Sequence, residues 1–192
     1  LFVHGLCMHH LSWSNHKFGG IGEKLLAQRD HNTMLYLNYN TGRRISANGR
    51  SLSNTLEDLL QRNPNITSID LIGHSMGGLV SRSALFYGKQ NMHHWIHRVE
   101  NLVCLGSPHH GAVLERFGFA MQDKLGHLPL GKIVGHVVNI RSNGILDLRY
   151  GSVRDDDWEH NDVRIGMMDD NRKPAPIPSH INTYLVAGTI EF

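Results

Sequence analysis

Five short, mostly apolar segments, each ended by Gly, Asn or Ser, recur along the chain and predict β-strands. Their apolar residues do not alternate cleanly with polar ones, which is typical of strands buried on both faces of a sheet. Segments with helical spacing separate them, and this alternation favours an α/β fold built on a mostly parallel sheet flanked by helices. The five segments are Leu1–His4, Met34–Tyr39, Ser68–Ile72, Leu102–Leu105 and Thr183–Ala187.

Three helices are predicted between these strands. The first covers Ile21–Arg29, where apolar residues follow a helical period. The second places leucines on one face over Leu52–Leu60, and Asn63-Pro64 ends it. The third should begin directly after the third strand and cover Met76–Tyr87.

The length of 192 residues allows one sizeable core and makes two domains unlikely on size alone, so we expect a single domain over residues 1–192. Residues 112–180 interrupt the regular alternation, because their apolar residues recur irregularly before an acidic and a Pro-rich stretch. We interpret this part as a helical insertion followed by a loop. The apolar positions between Val113 and Val138 could form either a mobile cap over a cleft or a fixed layer of the core.

The candidate chemistry is concentrated where the third strand meets the third helix, in the sequence Gly73-His74-Ser75-Met76-Gly77-Gly78. A serine at the tip of such a turn has a strained backbone, and small residues are needed beside it because strand and helix pass close together. Gly73 and Gly77 meet that need. The turn exposes the hydroxyl of Ser75 at the N-terminus of a helix, whose dipole favours developing negative charge. The pattern therefore predicts a nucleophilic serine.

The end of the first strand offers a binding place for the negatively charged oxygen of an acyl-transfer intermediate. This strand ends in His4-Gly5. The backbone N–H of Leu6, just past the strand, and that of Met76, just past the serine, could donate to the same oxygen. We expect His4 itself to be a packed, hydrogen-bonded residue near this loop and not a base.

Three motifs together resemble serine lipases and esterases of the α/β-hydrolase fold: His-Gly-Leu after the first strand, the turn around Ser75, and the segment Leu105–Ala112. Within that fold, Ile140–Ile145 and Asp147–Gly151 resemble bacterial members of the GPI inositol-deacylase-like lipase group. The resemblance covers essentially the whole chain. It implies a lipase- or esterase-like hydrolase.

The resemblance also implies roles for particular residues. Gly73, His74 and Gly77 would form the nucleophile elbow around Ser75. His109 and His110, together with His4 and Gly5, would line the catalytic cleft.

A serine hydroxyl is a poor nucleophile until a base takes its proton. In the resembling family the acid follows the last strand seen here and the histidine follows one more, so the resemblance implies that both lie beyond residue 192. The chain begins without Met inside an apolar run and closes soon after another, and we expect it to be truncated at both ends. Two internal alternatives stay open, His180 as the base, with Asp169 and Asp170 upstream, and Glu191 as the acid.

Metal chemistry has weaker signals. His93 and His97 have the spacing that places two imidazoles on one helical face, but no third zinc ligand of fitting spacing follows. The acidic run Asp155–Asp157 lacks the spacing of an EF-hand and is interpreted as a solvated turn. Cys7 and Cys104 form no Cys-x-x-Cys pair and are expected to be free thiols. We therefore expect neither a metal nor a cofactor.

The net charge of +2 and the scattered Lys and Arg residues give no sign of nucleic-acid or anionic-membrane binding. No stretch approaches the roughly 20 apolar residues of a membrane span, and no secretion signal is recognisable. The expected partner is a small-molecule or lipid ester. The cytoplasm is favoured over secretion as the compartment.

Three functions fit this sequence. The leading hypothesis is cleavage of a carboxylic ester through an acyl-enzyme on Ser75. An acyltransferase would form the same acyl-enzyme and pass the acyl group to an alcohol instead of water. A non-catalytic binding module would have kept the elbow and lost the base.

Overall fold

The computed structural model describes residues 1–13, 20, 24, 33–111, 142–158 and 172–188. In this part of the chain, five parallel strands form one sheet in the order β2-β1-β3-β4-β5. The strands are β1 Phe2–Val3, β2 Tyr36–Leu37, β3 Ile69–His74, β4 Val99–Leu105 and β5 Asn182–Val186. The predicted parallel sheet is confirmed, and all five predicted strands belong to it.

Among the described residues, three α-helices accompany the sheet, α1 Ile45–Arg62, α2 Met76–Gln90 and α3 Asn143–Tyr150. Short 3-10 helices cover His10–Trp13, His94–Arg98 and Asp155–Asp157. The second and third predicted helices are confirmed as α1 and α2, although α1 begins well before Leu52. The predicted helix Ile21–Arg29 lies outside the described residues except for Lys24. Within the described ranges, no helix has the length and apolar character that a membrane crossing requires.

The core lies between the central strands and the pair α1 and α2. Helix α1 buries Ile45, Leu52 and Leu56 on one face, as the spacing of its leucines predicts. Helix α2 packs along α1 and β3, and its Leu79 and Leu85 are almost completely buried. Each such leucine contributes about 1.5–3 kcal/mol relative to an exposed one. The site described below is therefore anchored in the best-packed part of the protein.

The two edge strands are much more exposed than the centre of the sheet. Every residue of β5 is exposed, and Leu185 reaches 67%. At the other edge, Tyr36 of β2 is 40% exposed. The densely packed strands are thus β1, β3 and β4, which carry the candidate site at their carboxyl ends.

The described part of the predicted insertion belongs to the core. Ile145, Leu148, Val153 and Ala175 are all buried and join the same apolar cluster as α1 and α2. The apolar positions of residues 113–138 lie outside the described residues.

A buried carboxylate of α3 holds the first turn of α1. Asp147 accepts hydrogen bonds from Arg44 Nη1 at 2.6 Å and from the backbone N–H of Ile45 at 2.7 Å. Burial raises the pKa of Asp147 to about 6, although both donors act to lower it. The N-cap residue Arg44 makes no side-chain cap bond, so the carboxylate from α3 takes that role. Helix α1 therefore depends on a residue far along the chain.

The acidic run Asp155–Asp157 forms a short 3-10 helix in which Asp157 is buried, so the predicted solvated turn is wrong. Asp157 is buried and accepts from the backbone N–H groups of Val153 at 2.9 Å, Arg154 at 3.0 Å and Lys173 at 2.9 Å. A carboxylate with several backbone donors is well compensated for its burial. Asp157 thereby fixes the start of the Pro-rich segment against the end of α3.

Replacing Asp147 by Ala should lower the free energy of unfolding by about 2–4 kcal/mol, between the cost of an unsatisfied buried donor and that of a broken buried ion pair. The matched control is Asp156→Ala, since Asp156 is half exposed and pairs with Arg154 at the surface. Its loss should cost less than about 1 kcal/mol. Urea denaturation measures both, and equal losses would show that Asp147 contributes no more than a surface charge.

Candidate active site

Ser75 lies at the turn between β3 and α2, with φ 53° and ψ −121°. A non-glycine residue in this region carries about 1–3 kcal/mol of strain, which persists only where the surroundings impose it. The backbone N–H of Ser75 donates to Leu105 O at 2.8 Å, which joins the turn to the end of β4. The Ser75 hydroxyl oxygen is buried and has no hydrogen-bond partner among the described residues. The sequence motif has thus folded into the predicted strand, sharp turn and helix.

The glycines around Ser75 are needed because backbones approach closely there. A Cβ on Gly77 would lie 2.1 Å from Val3 O, and one on Gly73 would lie 2.5 Å from Gly78 N. A Cβ on Gly78 would lie 2.1 Å from Ser107 Oγ. The first turn of α2 is therefore pressed between the end of β1 and the loop after β4.

The segment after β1 turns next to the elbow. A Cβ on Gly5 would lie 3.1 Å from Ser75 Cβ and 3.1 Å from His74 Nδ1. Cys7 adopts a positive φ of 56°, and Met8 N donates to Gly5 O at 3.2 Å, which closes a turn. Leu6 is buried within this turn. The structure therefore brings Leu6 and Ser75 to the same end of the sheet, as the motif order implies.

His4 is packed beneath this turn. Its ring stacks on Tyr39 with centroids 4.4 Å apart, and Tyr39 Oη donates to His4 O at 2.6 Å. The ring Nδ1 lies 3.0 Å from Gly5 O. Burial lowers the pKa of His4. These contacts hold the end of β1 in place beside the elbow.

The loop after β4 brings His109 to the border of the site. Ser107, which contacts the Gly78 position, belongs to this loop, and Arg172 Nη1 donates to His109 O at 2.6 Å. Both ring nitrogens of His109 are buried and have no hydrogen-bond partner among the described residues, whereas His110 is exposed. Burial lowers the pKa of His109 to about 4, and the positive charges of Arg82 and His110 add to this effect. His109 is therefore a neutral imidazole near pH 7.

The internal candidate base His180 does not meet Ser75. It precedes β5, so it lies at the amino ends of the parallel strands, whereas the elbow lies at their carboxyl ends. Its Nε2 lies 3.1 Å from Ile96 O, and its ring stacks on His97 at 6.2 Å. Glu191, Asp169 and Asp170 lie outside the described residues.

The two histidines with zinc-like spacing do not share a helical face. His93 precedes the 3-10 helix His94–Arg98, and its Nδ1 lies 2.9 Å from Ser53 Oγ. The expected helical face is wrong because a 3-10 helix has a shorter period than an α-helix. In the described ranges, no group of three or more His, Cys, Asp or Glu side chains is placed to hold a metal ion.

Several residues near the site were not selected from the sequence. Trp13 packs against His74, with ring centroids 6.3 Å apart. Arg82 lies on α2 and donates from Nε to Ala175 O at 3.0 Å, while Arg172 reaches the His109 loop. No local motif marks these side chains, since their partners are distant in the chain.

A parallel sheet flanked by helices, with a strained serine on a strand-to-helix elbow, defines the α/β-hydrolase fold. The family model described as "PGAP1-like alpha/beta domain" matches residues 1–189, and the chain belongs to this family. The comparison with curated proteins gives no match.

The chain is also similar to two solved structures of the Bacillus licheniformis lipase BlEst2. The mature form is 25% identical, with a TM-score of 0.49 over 78% of this chain and 54% of that chain. The propeptide form is 23% identical, with a TM-score of 0.48 over 78% of this chain and 29% of that chain. The chain thus spans about half the length of the mature lipase.

Gly77→Ala should destabilise the protein by about 1–3 kcal/mol, because its Cβ would overlap the carbonyl oxygen of Val3 and force backbone shifts. The control is Gly188→Ala, where an added Cβ meets no atom within 4 Å. That change should stay within about 0.5 kcal/mol. Thermal and urea unfolding would measure both variants, and a neutral Gly77→Ala would contradict the close approach.

The low pKa of His109 predicts a pH dependence of stability. The unfolded imidazole binds a proton near pH 6.5 and the folded one only near pH 4, so the unfolded state carries more protons between these values. The free energy of unfolding should therefore fall as pH is lowered through this window, and His109 should add no pH dependence above it.

The measurement compares urea denaturation of the wild type and His109→Gln from pH 7 to pH 4.5. The variant should lose less stability than the wild type as the pH falls. His110→Gln removes one of the two neighbouring positive charges, and its curve should lie between those of the wild type and His109→Gln. Parallel curves for wild type and His109→Gln would show that the folded protein accommodates a charged His109.

Proposed function

We propose that this protein is a serine ester hydrolase, lipase- or esterase-like, and that Ser75 is its nucleophile. The observation that carries the proposal is the strained Ser75 at φ 53°, whose buried hydroxyl has no partner among the described residues. Strain and an unsatisfied buried hydroxyl are both costly, and they are retained where chemistry uses them. Membership in the PGAP1-like alpha/beta domain family and the lipase-like motifs agree with this role.

In the proposed reaction, Ser75 Oγ attacks the carbonyl carbon of an ester while a base takes its proton. The carbonyl oxygen becomes negatively charged and accepts hydrogen bonds from the backbone N–H groups of Leu6 and Met76. Met76 is the first residue of α2, so its N–H has no acceptor within the helix. The alcohol leaves, and water then hydrolyses the acyl-enzyme.

The base and its supporting acid are proposed to come from outside the described residues. Among the described residues, no imidazole is hydrogen-bonded to Ser75 Oγ, and His180 lies at the amino ends of the strands, away from the elbow. Neutral His109 borders the site, and we assign it to the cleft wall with His4, Gly5 and His110. The proposed substrate is a small-molecule or lipid ester, and no step of this mechanism requires a metal or another cofactor.

A fluorophosphonate probe should label Ser75 of the full-length protein, and Ser75→Ala should abolish the labelling. Turnover of 4-nitrophenyl butyrate should fall by on the order of a millionfold, as for nucleophile removal in subtilisin. Ser107→Ala is the matched control, because Ser107 lies beside the elbow but in the loop after β4 and not at a helix N-terminus. This variant should retain labelling.

Mass spectrometry of the labelled peptide identifies the modified serine. Labelling that persists in Ser75→Ala would contradict the nucleophile assignment. An unlabelled wild type without ester turnover would instead favour a binding module on this fold.

A further inference from the structure

The site region buries polar atoms that have no hydrogen-bond partner among the described residues. They include Ser75 Oγ, both ring nitrogens of His109, and the indole Nε1 of Trp13. Buried polar groups are satisfied in the great majority of cases, and an unsatisfied one costs about 1–3 kcal/mol. Ser75 has a role in the proposed reaction, whereas Trp13 has none so far.

Trp13 is held beside the elbow by ring contacts. Its indole packs edge-on against Phe2 of β1 with centroids 5.0 Å apart, and against His74 at 6.3 Å. His74 directly precedes Ser75, and Phe2 lies in the strand that leads to the Leu6 turn. The ring is thus fixed by both segments that build the proposed oxyanion site.

Packing alone does not account for a tryptophan here. Phe2 and His74 contact the ring, and a phenylalanine would offer similar apolar surface without an N–H. A buried indole N–H normally finds a partner, as Trp95 shows in the same protein, where Nε1 donates to Ser53 Oγ at 3.1 Å. Because an indole N–H is a donor only, the missing partner of Trp13 must be an acceptor.

We propose that Trp13 is a substrate-positioning residue, whose indole N–H donates a hydrogen bond to an oxygen acceptor of the ester bound at Ser75. This inference rests on the proposed ester hydrolysis at Ser75. The acceptor is present in the substrate before the reaction begins, so the bond stabilises the bound ester and the transition state to a similar degree. Such uniform binding affects KM and leaves kcat unchanged.

The kinetic test uses the full-length protein and 4-nitrophenyl butyrate. Trp13→Phe should raise KM by about two- to twelvefold, the range for one neutral hydrogen bond, with kcat within about twofold of the wild type. The control Trp95→Phe removes an indole N–H with a partner inside the core, and it should leave KM unchanged while lowering stability. An unchanged KM in folded Trp13→Phe would overturn the proposal, as would a fall in kcat alone.

A second measurement needs neither turnover nor a variant. The indole ¹H–¹⁵N resonance of Trp13 can be assigned through the contacts of its ring with Phe2 and His74. It is followed during a titration with butyrate, the acid product of the hydrolysis, whose carboxylate oxygens are the hydrogen-bond acceptors. A donated hydrogen bond should shift this resonance downfield and leave that of Trp95 in place. A Trp13 resonance that does not move at any butyrate concentration would overturn the proposal.

The two experiments separate this inference from the proposed function. If Ser75→Ala keeps wild-type turnover, the hydrolase assignment to Ser75 fails, while the butyrate titration still decides whether Trp13 donates to a bound oxygen. If Ser75→Ala is inactive and Trp13→Phe has a wild-type KM, the hydrolase assignment stands and the role of Trp13 fails.

Discussion

The close approach of the first turn of α2 to the end of β1 is the constraint on which the site depends. The carbonyl oxygen of Val3 occupies the space that a side chain on Gly77 would need. Since β1, β3 and α2 are fixed by the buried side chains of Val3, Leu71 and Leu79, the chain between β3 and α2 has to reverse within one residue. That residue is Ser75, and its positive φ follows from the packing around it. The strain at the serine is thus maintained by the core.

Features with a local signal could be predicted from the sequence. Apolar runs marked the strands, and the glycines around Ser75 marked the elbow, because strand, turn and helix are contiguous there. The start of α1 could not be predicted, since a mostly polar stretch separates Ile45 from the leucines and its N-terminal partner is Asp147, distant in sequence. The burial of Asp157 has no local signal either, because one of its three backbone donors, Lys173, lies 16 residues further along the chain. Trp13 carries no motif, and only the fold shows that its ring meets His74.

The amino and carboxyl ends of the parallel strands differ in how their polar groups are satisfied. Near the amino end of β4, Glu57 accepts from the backbone N–H groups of His94 and Trp95, at 2.8 and 3.1 Å. In the same place, Ser53 Oγ contacts both His93 and Trp95. Near the carboxyl ends of the strands, Ser75 Oγ and Trp13 Nε1 have no hydrogen-bond partners among the described residues. A satisfied network rigidifies a fold, whereas unsatisfied groups in a pocket are available to a ligand. The amino ends of the strands therefore carry a satisfied network, and the carboxyl ends carry the unsatisfied polar atoms that the proposed reaction would use.

The described part of the insertion, which includes Asp157 and residues 172–175, links the core to the border of the site. Asp157 binds the backbone N–H of Lys173, and the neighbouring Arg172 donates to the carbonyl of His109. Arg82 of α2 holds Ala175 of the same segment through its carbonyl oxygen. Arg172 positions the loop through the backbone carbonyl of His109. Burial keeps the pKa of the His109 imidazole low, and the charges of Arg82 and His110 add to this effect. The border of the cleft is consequently set by the same segment that completes the core, so a change that loosens residues 172–175 should disturb the shape of the site and the stability of the protein together.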